Sequence, residues 1–532
     1  MSERYDVVVI GGGHNGLTAA CLMATKGKRV ALVEKRDLLG GLAEAVEFAP
    51  GFRSAGVWHG TGNVSKSVMS SLGLESLVQD EAPTVYALGE SGLVAPVSGA
   101  TDRTAFGITK HSASDGRDYA RYRAFMKRIQ PVISRFLTHR PLNWLEVEQE
   151  APVEVLVRAL GLRLLGSHDM VEFLRVAPMP ASDFLNEYFE TDFIKGALSM
   201  DAHLGTFTAP RSPGTTMNLL MHESITGRSI KGGSLALTEA LIRRAGELGV
   251  AVKTGSAVAR IMTEGKSVTG VELENGAVIE AAAVSASCNP KTVLLDLLPV
   301  EALTHTTEHR ISNFRTYGTA AQLLLAVDGR VSFEGAAAED EVSHARIAPS
   351  MNHVEKAFDA VKYDRFSDEP VLDVLVPTID HPNLAPAGKS VVSVLIGYAP
   401  FNLEGGWTSD ARDALARKTI DTISQFAPGL EQKIIASKLS SPGDLERDYG
   451  LTGGHLHHGE PGLDQILVRP IPECFNHQTP VHGLTLCGSG THPGGTVSCM
   501  AGALASREIT RKKKVRPFGA HPPGARRASA LR

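Results

Sequence analysis

No stretch of the 532 residues approaches the roughly 18 uninterrupted apolar positions that a membrane-spanning helix needs. The cysteines are few. Cys21, Cys288, Cys474, Cys487 and Cys499 are scattered, and no two stand at C-x-x-C or C-x-x-x-x-C spacing. That pattern argues against a zinc knuckle and against a redox-active cysteine pair. Charge of one sign is not in excess either. The formal net charge of −4 gives no basic face on which a nucleic-acid partner could be argued. What remains is an ordinary globular composition, 43% hydrophobic and 21% charged, long enough for two or more domains and a sizeable core. The first predicted strand begins at about residue 5, which leaves no room for a signal peptide, so the expected location is cytoplasmic.

Against these absences stands one dense signal, YDVVVIGGGHNG from Tyr5 to Gly16. The run Val7 to Ile10 has the shape of a buried parallel strand and feeds into Gly11-x-Gly13-x-x-Gly16. An alanine-rich helix, Leu17 to Thr25, follows, and then a second β-branched run, Arg29 to Val33, ending in Glu34. Each part has a mechanical role in binding a dinucleotide. Gly11 permits the tight turn, Gly13 lets the backbone approach a pyrophosphate, and Gly16 lets helix and strand pack closely. Free N–H groups at the helix start hold the phosphate charge. Glu34 stands where a carboxylate accepts hydrogen bonds from an adenosine ribose, which disfavours a 2′-phosphate. The glycine doublet Gly40-Gly41 lies six and seven positions beyond that acid. It suits a backbone that must pass close to an extended cofactor, so FAD is the expected dinucleotide. Disulfide reductases share this opening but carry a cysteine pair soon after it; this region has none.

Two distant stretches read as parts of the same domain. SIKGGSLALTEAL, from Ser229 to Leu241, is a glycine pair leading into a helix, and Val250 to Ile261 reads as strand, turn, strand. VTGVEL and AVIEAAAVSAS are joined by Glu274-Asn275-Gly276, a strong hairpin signal. The third stretch, Gly483 to Ile509, sets a strand before a glycine-rich turn that opens a small-residue helix near Thr496. The positive end of that helix would face a flavin ring. The fold class expected is α/β: a Rossmann-like FAD-binding domain of glutathione-reductase type from residues 1–70, 225–300 and 445–510, with an interleaved mixed α/β substrate domain and helical cap from 71–224 and 301–444. Cap helices are predicted at Asp118 to Leu137, interrupted or kinked by Pro131, and at Glu154 to Leu165 and Ala181 to Leu198. Strands are predicted at Thr319 to Val327, Val371 to Val376 and Ser390 to Tyr398. Residues 511–532 form a basic tail, read as disordered, with peripheral contact to anionic lipid as one role for its Lys/Arg cluster.

The chain resembles the FAD-dependent carotenoid/phytoene desaturase family, within the wider amine-oxidase-like flavoproteins. The marks are VVVIGGGHNGLTAA with Glu34 and Gly40-Gly41, Pro50-Gly51-Phe52-Arg53, GTFTAPRSPGT from Gly205, KGGSLALTEAL, LTGGHLHHGEPGLDQ from Leu451, and LTLCGSGTHPGG. HNG after the glycines and the SGTHPGG close are similar to the branch of pyridine nucleotide-disulfide oxidoreductase domain-containing protein 2-like and desaturase-like β-carotene ketolase sequences. The resemblance implies FAD held by Gly11, Gly13, Gly16 and Glu34, with Lys35, Gly40 and Gly41 nearby. It places Val258 against the adenine and Gly488, Ser489, Gly495, Thr496 and Val497 along the flavin end. Where relatives often have GAPG in the last helix, this chain has SCMAG, with bulkier Cys499 and Met500.

In such an enzyme the cofactor performs the redox step, so no triad or metal constellation is required, and none is read from the sequence. The HLHH run His455, His457 and His458 has no carboxylate or cysteine spaced to complete a metal site. Strand alternation would point His455 and His457 to one face of a substrate cavity. His59 and His492 are the other polar candidates for catalysis, and Arg211 reads equally well as a surface charge. The expected activity is dehydrogenation of an apolar, isoprenoid or lipid-like small molecule. Polyene ketolation, isomerisation or saturation and amine oxidation are alternatives on the same fold. A flavoprotein that binds a protein partner with little turnover is the alternative of another class, and a homo-oligomer is compatible with the chain.

Overall fold

The computed structural model describes residues 3–141, 163–223, 228–337, 341–495 and 497–511. Most of the helix expected at Glu154 to Leu165, the residue Thr496 and the tail beyond Arg511 lie outside the described residues. One seven-stranded sheet is drawn from three separated stretches. Its order is Val258–Glu264, Ser267–Leu273, Val278–Ala286, Glu3–Ile10, Val30–Val33 and Ala251–Lys253, with Leu484–Leu486 paired to Val278–Ala286. Glu3–Ile10 is parallel to both its neighbours. Val7, Val8, Val9 and Ile10 are buried, which is why this strand is a continuous apolar run rather than an alternating one. The meander through Ser267–Leu273 is antiparallel and turns at Asn275-Gly276, where Gly276 takes φ +81°. Helices His14–Ala24, Gly233–Glu247 and Met500–Thr510 pack on one face and share a core of Leu17, Cys21, Leu237, Leu241 and Leu504.

A second seven-stranded sheet has the order Ile434–Ser440, Ala320–Val327, Ser390–Gly397, Val371–Leu375, His344–Ile347, Val85–Gly89, Leu93–Ser98. One parity of its residues, including Leu323, Leu325, Val392, Val394, Leu372 and Val374, forms a core with Leu415 and Ile423 of helix Ser409–Ser424. The other parity carries Gln322 and Asp373, which bond the Gly56 carbonyl and His59. Helices Ala113–Thr138, Ala181–Asn186, Asp192–His203 and Thr215–Glu223 form a cap with its own aromatic core of Tyr119, Tyr122, Phe125, Phe184 and Phe189.

Three local expectations are corrected. Of the interruption or kink expected at Pro131, the interruption is absent: helix Ala113–Thr138 continues through it, because a buried stripe of Tyr122, Phe125, Met126, Ile129 and Ile133 holds both halves to the cap core. The helix expected over Ala181 to Leu198 is two helices. The Asp115 carboxylate accepts hydrogen bonds from the Glu190 and Thr191 N–H groups, both at 2.9 Å, and so starts the second helix anew. The last helix begins at Met500, not near Thr496, with Cys499 in the left-handed region at φ +60° immediately before it.

Candidate active site

The dinucleotide end is built by the first strand–helix–strand unit. Helix His14–Ala24 starts at Gly13, and no side chain caps its first turn, so its N–H groups stay available to an anion. Gly11 has φ +96°, and a Cβ there would run into the Ser287 hydroxyl. A Cβ on Gly16 would collide with the Gly11 carbonyl oxygen. Glu34 accepts hydrogen bonds from the Gly12 N–H at 2.6 Å and the Arg36 N–H at 3.0 Å. Each carboxylate oxygen keeps acceptor capacity for ribose hydroxyls. Gly40 donates to the Gly12 carbonyl at 3.0 Å, and Gly40 and Gly41 both have positive φ, +127° and +58°. The doublet therefore lies flat against the motif. Lys35 reaches toward Gly450, whose Cβ would lie 3.1 Å from its Nζ. Val258 opens a strand two residues after Ser256, whose N–H bonds the Glu34 carbonyl at 2.8 Å. Cys288 lies by Gly11, and burial, with the Glu34 charge second, pushes its thiol up to about 11.

Gly13 tests whether these residues fit FAD. Its φ of −73° is open to any residue, and a Cβ there would come no nearer than 4.0 Å to any protein atom. The protein's own packing does not require glycine at this position. A cofactor crossing the helix start would.

The flavin end is assembled across the whole chain length. Asn15, buried at the helix start, donates to the Ser489 hydroxyl at 3.1 Å and accepts from the Gly502 N–H at 3.3 Å. One side chain thus joins the first helix, the glycine-rich loop and the last helix. Asn15→Ala leaves the Ser489 and Gly502 groups without that partner. We expect a loss of about 1–3 kcal/mol in stability and weaker FAD retention, read by thermal unfolding and by flavin content after gel filtration. Gly488 lies against the Ser287 carbonyl, Gly495 against His457, and Val497 is buried.

The three histidine candidates separate. His492 Nε2 lies 2.9 Å from the Phe136 carbonyl and 3.2 Å from that of His139, which ties the flavin-end loop to the cap. His455 is fully buried. Its Nε2 meets the Glu460 carboxylate at 3.2 Å and its Nδ1 accepts from the His457 N–H. The HLHH run follows a single 3-10 turn, Thr452–Gly454, rather than forming a strand, so the expected alternation is absent and His455 does not line the cavity. His457 and His59 do. Arg211 is exposed.

That cavity, about 1130 Å³, runs from Gly494, Gly495 and Ser498 of the flavin-end loop, past Trp58 and His457, to the second sheet. The apolar stripe of helix Ala113–Thr138 lies in the cap core. What this helix gives the cavity is Gln130, Pro131, Ser134, Leu137 and Thr138. The sheet floor is polar. Gln322, Leu395, Asp373 and Arg346 stand opposite one another in register across four strands, with Ser393, Leu375 and His344 in the next row of the same face. Asp373 Oδ1 accepts from His59 Nδ1 at 2.7 Å and His344 Nε2 at 2.8 Å, while Oδ2 accepts from Arg346 Nε at 3.3 Å. Arg346 also forks onto Asp201 at 2.9 and 2.5 Å. Burial would raise the Asp373 pKa, but its contacts with His344 and His59 outweigh that and hold the carboxyl well below the usual range. Burial likewise holds His59 below its ordinary value, against the pull of Asp373. His59, His344 and Asp373 lie close enough to form a metal's ligand set. A hydrogen-bonded network describes them better, because an ionised Asp373 already takes both ring N–H groups and a guanidinium. Sequence reading missed His344, Arg346 and Asp373. The available signal was the presence of polar residues inside the fully or largely buried strands HARI, VLDVL, SVVSVLIG and AAQLLLAV.

The five cysteines are unpaired. Burial pushes the Cys21, Cys487 and Cys499 thiols up to about 12, so none is a poised thiolate. No helix among the described residues is long and apolar enough to cross a membrane.

Comparison with known proteins gives the family. The family described as flavin containing amine oxidoreductase matches residues 16–506. The mouse protein called pyridine nucleotide-disulfide oxidoreductase domain-containing protein 2 is 31% identical over 97% of this chain and 94% of its own length. A carotenoid 3,4-desaturase of Haloarcula japonica is 25% identical over 93% of this chain and 96% of its own. Among solved structures, a triple mutant of putrescine oxidase with redesigned cofactor binding superposes with a TM-score of 0.59 at 14% identity, over 96% of this chain and 98% of that one. That likeness speaks for the fold. The chain belongs to the flavin-containing amine oxidoreductase family and is an FAD-dependent oxidoreductase of the desaturase-like kind.

Proposed function

We propose that this oxidoreductase dehydrogenates a largely apolar, isoprenoid or otherwise lipid-like substrate that carries one polar group. One observation carries the reading: the cavity has two unlike sides. Met200, Leu204, Met221, Ile230 and Leu235 supply apolar wall, while His344, Arg346 and Asp373 supply a hydrogen-bonding floor. A pure hydrocarbon would leave that floor desolvated without compensation. A small polar amine would leave the apolar wall unfilled. FAD supplies the two-electron acceptor; the chain supplies position and exclusion of water. The names of desaturases among the relatives support the same substrate class.

The test is anaerobic bleaching of the holoprotein by an isoprenoid panel, with extraction of co-purifying lipid from the same sample. We expect an amphiphilic isoprenoid to bleach the flavin and a lipid of that kind to co-purify. Bleaching by water-soluble amines alone, with no lipid extracted, overturns the reading.

A further inference from the structure

Among the polar residues of the cavity floor, His344 differs from its neighbours in having a ring nitrogen left over. The hydrogen bonds can be assigned in one direction around the network. Gln322 Nε2 donates to Ser393 Oγ at 3.0 Å and to the Gly56 carbonyl at 2.8 Å. The Ser393 hydroxyl, already an acceptor, donates to His59 Nε2 at 2.9 Å. His59 therefore carries its proton on Nδ1 and gives it to Asp373, and both its nitrogens are engaged. His344 gives its Nε2 proton to the same carboxylate oxygen. In that tautomer its Nδ1 is a lone pair, and it has no hydrogen-bond partner among the described residues, although the side chain lines the cavity. His59 and His344 stand edge to face, 6.0 Å apart, on one aspartate. His59 is a strut; His344 is a base with its orientation fixed by a buried acid, the arrangement that lets an imidazole take a proton and hold the resulting charge.

We propose that His344 is the general base of the reaction, and that the substrate group it serves is an alcohol or amine. This rests on the substrate class proposed above. As the carbon bearing the oxygen or nitrogen loses its hydrogen with the bonding pair, as hydride to FAD, the O–H or N–H bond breaks and its proton passes to His344 Nδ1. A C=O or C=N bond forms. The substrate loses two electrons and the flavin gains them. The imidazolium is balanced by Asp373, whose other oxygen stays on Arg346, which is in turn neutralised by Asp201. The charged and titratable groups facing His344 are thus Asp373 on the adjacent strand, Arg346 on its own strand, and His59 on the loop above. Asp201 and His222 stand beyond them on the cap helices, with Glu223.

The experiment uses the FAD-loaded full chain and two readouts. In a 15N-histidine spectrum, the His344 signal is identified by its loss in His344→Gln. It should show a protonated Nε2 and a bare Nδ1; a protonated Nδ1 overturns the proposal whatever the substrate. Anaerobic bleaching is then followed with farnesol, farnesylamine and squalene. His344→Gln keeps an N–H for Asp373 but has no base, and should slow bleaching by the alcohol or amine about 10²- to 10⁴-fold. Added imidazole should restore part of the rate in His344→Ala, which a merely structural role would not allow. Wild-type bleaching rates in His344→Gln overturn the proposal and leave the isoprenoid reading standing; bleaching by squalene alone overturns the proposal and, with it, the requirement that the isoprenoid carry a polar group. If none of the three bleaches the flavin, the isoprenoid reading fails, and the tautomer alone decides whether His344 is set up as a base.

Discussion

Gly13→Ala is expected to fold as the parent does and to bind FAD about 10- to 100-fold more weakly, the ~1–3 kcal/mol of forcing a methyl group into filled space. The alanine suits the local backbone, since Gly13 has φ −73° and ψ 174°. Its Cβ would meet nothing closer than the Gly41 Cα at 4.0 Å. The added methyl therefore projects into the track between the motif and the doublet Gly40-Gly41, where a pyrophosphate would pass. Gly16→Ala is a contrasting case, because its Cβ would collide with the Gly11 carbonyl in the protein itself. Fluorescence titration of apoprotein with FAD, alongside thermal unfolding of the cofactor-free variants, separates the two effects. Gly13→Ala should lose affinity without losing apo stability, and Gly16→Ala should lose both. Unchanged FAD affinity in Gly13→Ala would place the cofactor elsewhere.

The second large effect is acid sensitivity well above the carboxylate range. His203 and His477 are almost completely buried, at 1% and 0% exposure. Burial lowers their pKa values from the ordinary 6.5 to about 3 and about 4. Burial holds both neutral in the folded state, for His477 against the pull of the Leu486 carbonyl, 2.9 Å from its Nδ1; His203 Nδ1 lies 2.9 Å from the Tyr398 hydroxyl. Between the folded and unfolded values the unfolded chain binds more protons, so stability falls as pH falls. The loss begins near pH 6.5 and runs down to the folded values of about 4 and 3. From pH 7 to pH 5 each histidine should remove about 2 kcal/mol, so the pair removes about 4 kcal/mol. Urea unfolding at fixed FAD concentration checks this. The His203→Gln, His477→Gln double variant should show a visibly flatter pH profile over that interval. An identical slope in the parent and the double variant would contradict the assignment.

The dinucleotide motif was legible and the polar floor of the cavity was not, for a physical reason. The dinucleotide unit is local: strand, turn, helix, strand and acid lie within 34 residues of the start, and each has a pattern of its own. The hairpin at Asn275-Gly276 is equally local, and Gly40-Gly41 declares itself by needing positive φ at both positions. The floor depends on strand order and register. Gln322, His344, Asp373 and Ser393 are scattered over four separate buried strands, and only the pairing of those strands puts them on one face. Along the chain, His59 and the HLHH run stand out because they are clustered or near the motif. The fold uses His59 to hold Asp373 and His455 to hold Glu460. The last helix was expected too early for a local reason: Val497 to Cys499 continue the glycine-rich turn, and Cys499 adopts φ +60° before the helix can start.

The most direct test of the whole account is the mass of whatever is released when the freshly purified chain is denatured. Residues near Gly13, Val258 and Ser489 are expected to converge on a single FAD. Released material should have the mass of FAD, at close to one per chain, and the stripped protein should take FAD up again and regain its yellow colour. A colourless chain that refuses FAD, or one that releases a nicotinamide dinucleotide instead, would contradict it.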